Sequence, residues 1–216
     1  MKKVGDWWFP DHEEHFIEWM SAPKNKVYLN GRLAYQGRKQ LATLDHCPSR
    51  RVAVDVGGHI GTWAYNLAVA FKTVHSFEPV KDHRLCFVKN LDGVDNVKLY
   101  GCALGGAPGR VSIVTTKGSS GDSQVAPGDD VDMRTLDSFD LRNVDLIKID
   151  CEGYEENVLH GAIDTINREK PTIIVEQKRD MAARFGLELR GAVTFLEGLR
   201  YKVVQEYSGD FIMRPA

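Results

Sequence analysis

The sequence lacks any apolar stretch near the roughly 20 residues that a membrane-spanning helix needs. Its start, Met1-Lys2-Lys3-Val4-Gly5-Asp6-Trp7-Trp8-Phe9-Pro10, is basic and then aromatic, with no apolar segment of about 7 to 15 residues behind it such as a signal peptide carries. It has no C-x-x-C pair: Cys47, Cys86, Cys102 and Cys151 stand far apart, which argues against structural zinc or a disulfide framework and leads us to expect a reducing cytoplasm. No H-x-x-x-H or H-E-x-x-H spacing occurs, and His12 and His15, three apart, read as surface or packing residues. Charge of one sign is missing too. With 28 basic against 30 acidic side chains, the chain has no electrostatic footprint for nucleic acid or membrane. Its 43% hydrophobic and 27% charged residues are those of an ordinary globular protein. We expect a single domain over residues 1–216, with 1–45 as an N-terminal cap on a core of 46–216.

The most informative segment that is present runs from 52 to 61, Val-Ala-Val-Asp-Val-Gly-Gly-His-Ile-Gly: an apolar run, an acid, then glycines. This is how a buried parallel strand turns into a cofactor-binding helix. The dinucleotide fingerprint G-x-G-x-x-G presents bare backbone N–H groups to a pyrophosphate and carries its acid about 20 residues later. Here Asp55 precedes Gly57 and position 59 is His. A leading carboxylate suits the ammonium and sulfonium of S-adenosylmethionine, and Gly57, Gly58 and Gly61 still permit close approach. The next strand-like run, 74–79, ends in Glu78, placed to accept hydrogen bonds from both ribose hydroxyls.

From residue 51 strand-like and helix-like segments alternate, as in a parallel sheet covered on both faces. Strands are predicted at 51–56, 73–77, 97–100, 144–150, 171–176, 201–206 and 210–213, and helices at 61–70, 80–91, 154–168 and 189–199. Only Ser208-Gly209 separates the last two strands, so they form an antiparallel hairpin. A seven-stranded, mostly parallel α/β sheet that ends in such a hairpin resembles the Rossmann-like class I methyltransferase fold. The cap holds Trp7, Trp8 and Trp19, a turn at Asn30-Gly31 and a basic patch at Arg38-Lys39. Residues 106–134 replace a crossover helix with a short β-like run, 110–116, and a polar loop from Lys117 to Ser123 that we expect at the substrate pocket.

With these residues in place, the chain resembles the FkbM family of S-adenosylmethionine-dependent methyltransferases over roughly residues 51–178. Asp55-Val56-Gly57-Gly58-His59-Ile60-Gly61 is similar to the family's D-V-G-A-N-I-G, with His59 in place of the usual Asn. Phe77-Glu78-Pro79 matches its F-E-P and Ala103-Leu104-Gly105 its A-L-G; Thr135-Leu136-Asp137 follows. The run Leu146-Ile147-Lys148-Ile149-Asp150-Cys151-Glu152-Gly153-Tyr154-Glu155, then Val158-Leu159-His160-Gly161-Ala162, resembles L-I-K-I-D-x-E-G-x-E…V-L-x-G-A. The resemblance implies S-adenosylmethionine as methyl donor, Ala103 and Leu104 beside its adenine, and methylation of oxygen on a sugar, polyketide or other small molecule.

Beyond the C-terminal strand ends, where a doubly wound sheet places its site, Asp150, Glu176 and Gln177 are expected to converge. Methyl transfer asks the protein to align a nucleophilic oxygen and take its proton, and Asp150 is the best placed base. Lys148, two residues earlier on the same face, is expected to pair with Asp150 or Glu152 and orient it. Cys151 is expected to turn away into the core. A Mg²⁺ ion on Asp150, Glu176 and Gln177 is the alternative way to position a hydroxyl. An NAD-dependent oxidoreductase and a non-catalytic cofactor-binding module are the competing functions. The acceptor pocket is left open either for a bulky acceptor or for closure by a second copy of the chain.

Overall fold

The computed structural model describes residues 1–178 and 181–216. Seven strands form the central sheet: β1 (Val52–Val56), β2 (Thr73–Phe77), β3 (Val97–Tyr100), β4 (Val144–Ile149), β5 (Thr172–Glu176), β6 (Tyr201–Tyr207) and β7 (Asp210–Pro215). Their order across the sheet is β6-β7-β5-β4-β1-β2-β3. The inner pairs run parallel, whereas β7 is antiparallel to both β5 and β6. The β6–β7 turn holds Ser208 at φ 53° and Gly209 at φ 84°, the two positive values that a two-residue hairpin of matched twist demands. The expected architecture is present, and every expected strand falls within two residues of an observed one.

The helices are α1 (His15–Ser21), α2 (Gly37–Asp45), α3 (Thr62–Ala70), α4 (Lys81–Asn90), α5 (Glu155–His160), α6 (Ile163–Glu169) and α7 (Gly191–Gly198). Strand alternation sends β1 side chains to two different cores. Val54 and Val56 pack with Ile147, Ile149, Ile173, Val175 and the apolar residues of α5, α6 and α7. Ala53 packs with Leu146, Ile174 and the α3 residues Trp63 and Leu67. Both faces of the sheet are therefore covered, which is why β4 is buried at every position. No helix among the described residues is long and apolar enough to cross a membrane.

Three expectations change. The predicted helix over 154–168 is two helices, α5 and α6, broken at Gly161, where a Cβ would lie 2.1 Å from the Gly105 carbonyl oxygen. The predicted loop after Thr116 is a turn at Lys117-Gly118 followed by a bulged strand, Ser119–Arg134, paired with Gly109–Thr116. Its polar composition hid it, because a small sheet half in solvent, three-stranded here with Ala103–Leu104 on the other edge, needs no apolar alternation. In the cap, Asn30 and Gly31 do form a hairpin turn, but Lys39 of the supposed basic patch is buried and paired with Asp210. Trp7, Phe9, Phe16 and Met20 form a small core that reaches Ile60 and Cys86, so the cap is fastened to the glycine loop.

Replacing Gly161 with Ala is expected to lower stability by about 1–3 kcal/mol, the usual cost of forcing atoms into a filled site. Urea unfolding checks this, and an unchanged midpoint would show that the break between α5 and α6 tolerates a side chain.

Candidate functional site

The glycine loop leaves β1 and crosses the exit of β4. Gly57 has φ 78°, and a Cβ there would sit 2.0 Å from the Asp150 carbonyl oxygen. At Gly58 a Cβ would lie 2.2 Å from Ser76 Oγ. The N–H groups of Gly57, Gly58, His59 and Gly61 are spent internally. Gly57 and Gly58 both donate to the Phe77 carbonyl at 3.0 Å, and Gly61 donates to Gly58 O at 2.8 Å. The His59 N–H donates to Glu78 Oε2 at 2.8 Å.

Beneath the loop lies Asp55, which has no exposed surface. Ser76 Oγ donates to its Oδ2 at 2.9 Å, and Lys148 Nζ lies 3.1 Å from Oδ1. The latter contact is an ion pair rather than a well-aligned hydrogen bond, since Oδ1 has no hydrogen-bond donor among the described residues. Lys148 instead aims its N–H groups at the carbonyls of Val56 and Gly57, 3.1 and 2.7 Å away. Burial opposes its charge, but Asp55 and Asp150 outweigh burial and raise the ammonium above the ordinary lysine range. The partner of Lys148 is thus Asp55, not the expected Asp150 or Glu152. Asp55 itself is sealed under the loop and is not among the described residues that line the cavity.

Above the loop a cavity holds about 950 Å³ of empty space, its open mouth included. Gly57, Gly58, His59, Glu78, Ala103, Leu104, Lys148 and Asp150 all border it, so most of the predicted site residues converge. Gly61 does not, because it packs against Leu91 and Phe87 of α4 and its neighbouring turn. Glu78 is held at the cavity edge by the N–H groups of His59 and Val80, each at 2.8 Å, with His83 Nδ1 3.3 Å away. Phe16 and Tyr35 of the cap and Ser120 of the arm complete the walls. His12 and His15 are exposed, and the cap residues that reach inward are their neighbours Glu13 and Phe16.

At the strand ends Asp150, Glu152 and Glu176 place carboxylate oxygens within 4.8 Å of one another. Lys178 pairs with Glu176 and lies 3.3 Å from Asp210, which also binds Lys39. Four acids therefore face two ammonium groups, and protons are retained on the acids worst placed to lose them. Burial and the Asp150 charge hold Glu176 well above the carboxylate range, and the same causes push Glu152 up to about 8. Burial would raise Asp150 as well, but Lys148 and Lys178 bring it below its ordinary value, so it stays ionised. Gln177 does not join this group. Its Oε1 accepts the Ala192 N–H at 3.0 Å and anchors the start of α7.

Asp150 and Glu152 are presented by a tight turn after β4. The Oε1 of Glu155 accepts the N–H groups of Cys151 and Gly153 at 2.9 and 3.0 Å, and Glu152 takes a left-handed φ of 56°. That turn ends the strand's alternation, so Cys151 packs against the core, as expected, but also borders the cavity. Burial raises its thiol well above the usual range and leaves it a poor nucleophile.

Two predictions follow from these buried charges. Lys148→Met, which leaves Asp55 charged and alone, is expected to cost about 3–5 kcal/mol in urea unfolding, with much of the loss recovered in Asp55→Asn/Lys148→Met. No recovery in the double variant would mean the pair is not what is lost. Burial raises Glu155 to about 7 from 4.5. A raised folded-state value makes its contribution to stability complete below about pH 4.5 and lost as pH rises through about 7. Glu155→Gln keeps the acceptor for both N–H groups and is expected to flatten that fall in melting temperature between those pH values.

Among proteins of known kind, the model of the methyltransferase FkbM domain family matches residues 55–203. No curated protein sequence matches the chain. A methyltransferase FkbM from Methylobacillus flagellatus KT is similar in structure, with TM-score 0.53, 18% identity and coverage of 76% of this chain. This chain spans only 43% of that one. A putative methyltransferase from Streptococcus mutans in complex with SAH aligns with TM-score 0.53 at 12% identity, over 82% of this chain and 94% of the other. A precorrin-6y C5,15-methyltransferase from Geobacter metallireducens aligns with TM-score 0.50 at 14% identity, over 88% and 93%. At such identities these likenesses show a shared fold.

Proposed function

The chain belongs to the FkbM family of methyltransferases, and from that premise we propose that it transfers a methyl group from S-adenosylmethionine to a hydroxyl oxygen of a small polyhydroxylated molecule. The observation that carries the reading is Glu78: a carboxylate fixed at the cavity edge by two backbone N–H groups, beside a glycine loop whose own N–H groups are already bonded. An acid at the end of β2 suits the ribose of either cofactor, but a pyrophosphate would find no free donors on Gly57, Gly58 or His59, which disfavours NAD. Ribose hydroxyls would donate to Glu78, and Ala103 and Leu104 offer apolar surface for adenine.

S-adenosylmethionine brings an already activated methyl group, so what the protein adds is alignment and a place for the acceptor's proton. Asp150 is ionised and borders the cavity, where it would accept a hydrogen bond from the acceptor hydroxyl and orient it, and Glu152 beside it is a carboxyl poised near neutrality. Phe16 and Tyr35 add an aromatic wall against which a sugar-like or phenolic acceptor would lie. Two carboxyls and an aromatic surface facing the same space favour turnover over a purely binding role. A divalent ion would have to use Asp150, Glu152 and Glu176, where Lys178 already supplies positive charge. We therefore assign positioning of the acceptor to side chains alone.

Thermal unfolding in the presence of S-adenosylhomocysteine is expected to show a clear upward shift, and NADH none; the reverse pattern would remove this reading. Asp150→Ala is expected to bind S-adenosylhomocysteine within about 3-fold of wild type and to lose about 10²-fold or more in methyl transfer to hydroxylated acceptors. Chelation with EDTA is expected to leave the rate unchanged, and a rate restored only by Mg²⁺ would put the metal back.

A further inference from the structure

His59 stands where the family's pattern usually has Asn, and its backbone takes a left-handed φ of 48°. That conformation is uncommon for a non-glycine residue, and such departures gather where a side chain has a task. Its ring is clamped between Phe16, edge-on at 5.0 Å, and His83, edge-on at 4.6 Å. Nε2 lies 2.7 Å from Ser120 Oγ. Ser120 in turn bonds through both its hydroxyl and its N–H to Glu13 Oε2, and Glu13 is fully buried. The other Glu13 oxygen accepts the Phe16 N–H at 2.7 Å. Three segments remote in sequence thus converge on one imidazole.

The protons in this chain are assignable from the acceptors. A carboxylate can only accept, so the Ser120 hydroxyl donates to Glu13 and its oxygen accepts from His59 Nε2–H. Nδ1 is then the unprotonated nitrogen: the ring's hydrogen bond among the described residues is made through Nε2, and His59 borders the cavity. The order acid–serine–histidine differs from a hydrolase triad, in which the acid orients the histidine and the histidine strips the serine. Ser120 here is a bridge, not a nucleophile.

We propose that His59 receives the acceptor's hydroxyl proton on Nδ1, with Ser120 and Glu13 as positioning residues that fix its tautomer and stabilise the imidazolium. This rests on the hydroxyl-methylation reading above. As the acceptor oxygen gains the methyl carbon, the sulfonium departs as an uncharged thioether and the released proton resides on His59. The charged groups acting on the ring are His83 from α4 and Lys148 and Asp150 from β4 and its exit; Glu78 meets the backbone N–H of His59, and Glu13 lies beyond Ser120. Burial first, then the nearby His83 and Lys148, holds His59 well below its ordinary value, so it starts neutral at pH 7. Glu13, one serine away, offsets the cost of the charge that forms.

Long-range ¹H–¹⁵N spectra of the histidine-labelled full chain test the relay with no acceptor present. The expected result is a neutral His59 at pH 7 with its proton on Nε2, and mixed tautomers in Ser120→Ala. S-adenosylhomocysteine affinity in Ser120→Ala and Glu13→Gln is expected within about 3-fold of wild type. On an acceptor that the wild type methylates from a panel of sugars, polyols and phenols, His59→Asn is expected to lose about 10²–10⁴-fold in kcat, and Glu13→Gln to shift the acid limb of the pH profile. A proton on Nδ1, an imidazolium at pH 7, or a His59→Asn rate within a few-fold of wild type overturns the proposal. No turnover of any hydroxyl by the wild type overturns the underlying reading and the task of His59 with it, whatever the spectrum shows.

Discussion

The ion pair between Asp55 and Lys148 is the constraint from which the rest of the site is built. It spans β1 and β4, the two strands at the centre of the sheet, and lies directly under the glycine loop. A lysine there would be untenable alone, and so would the acid. Together they fix the loop from below, since the same ammonium also binds the Val56 and Gly57 carbonyls. With the loop set, Gly57 can pass within contact of Asp150, and His59 is delivered to Glu78. The D-V-G and K-I-D segments are thus halves of one device, which explains physically why an acid leads one and a lysine sits within the other.

The sheet was legible because its signal is local. Apolar runs of five or six residues bounded by turn residues mark buried parallel strands, and Ser208-Gly209 left room for nothing but a hairpin. The break between α5 and α6 was not legible, because the groups at it, the Gly105 carbonyl against Gly161 and the Asp137 carboxylate that accepts the Asp164 and Thr165 N–H groups, come from segments more than twenty residues earlier. The arm at Ser119–Arg134 escaped for the opposite reason: its residues are polar and its pairing carries the structure.

At the site, the residues of the β1 loop, the β2 exit and the β4 turn were visible from type and position. What each touches was not. Asp55 reads as a cofactor partner until Lys148 is seen to occupy it. Gln177 reads as a ligand until its oxygen is seen on the Ala192 N–H. Cys151 reads as core, which it touches, but its place at the cavity edge follows from the Glu155-bonded turn that ends the strand's alternation after Ile149. The polar 117–123 segment does reach the cavity, through Ser120, Gly121 and Ser123, but the partner of Ser120 was hidden, Lys39 reads as part of a basic patch until Asp210 is seen on it, and Glu13 and Tyr35 carry no signal before the cap folds over the sheet. Trp7 and Trp8 in a cap too short for a core of its own were the one clue that this segment must lie on something else.

Asp55, through Lys148, supports the loop from below, and Glu78 is the group proposed to meet the cofactor from the side. A crystal structure of the protein with S-adenosylhomocysteine measures both at once. Ribose hydroxyls are expected within hydrogen-bond distance of Glu78, with Asp55 still paired to Lys148 beneath an unmoved loop. A ligand amine bound directly to Asp55 with Lys148 displaced, or ribose hydroxyls turned away from Glu78, would contradict this arrangement.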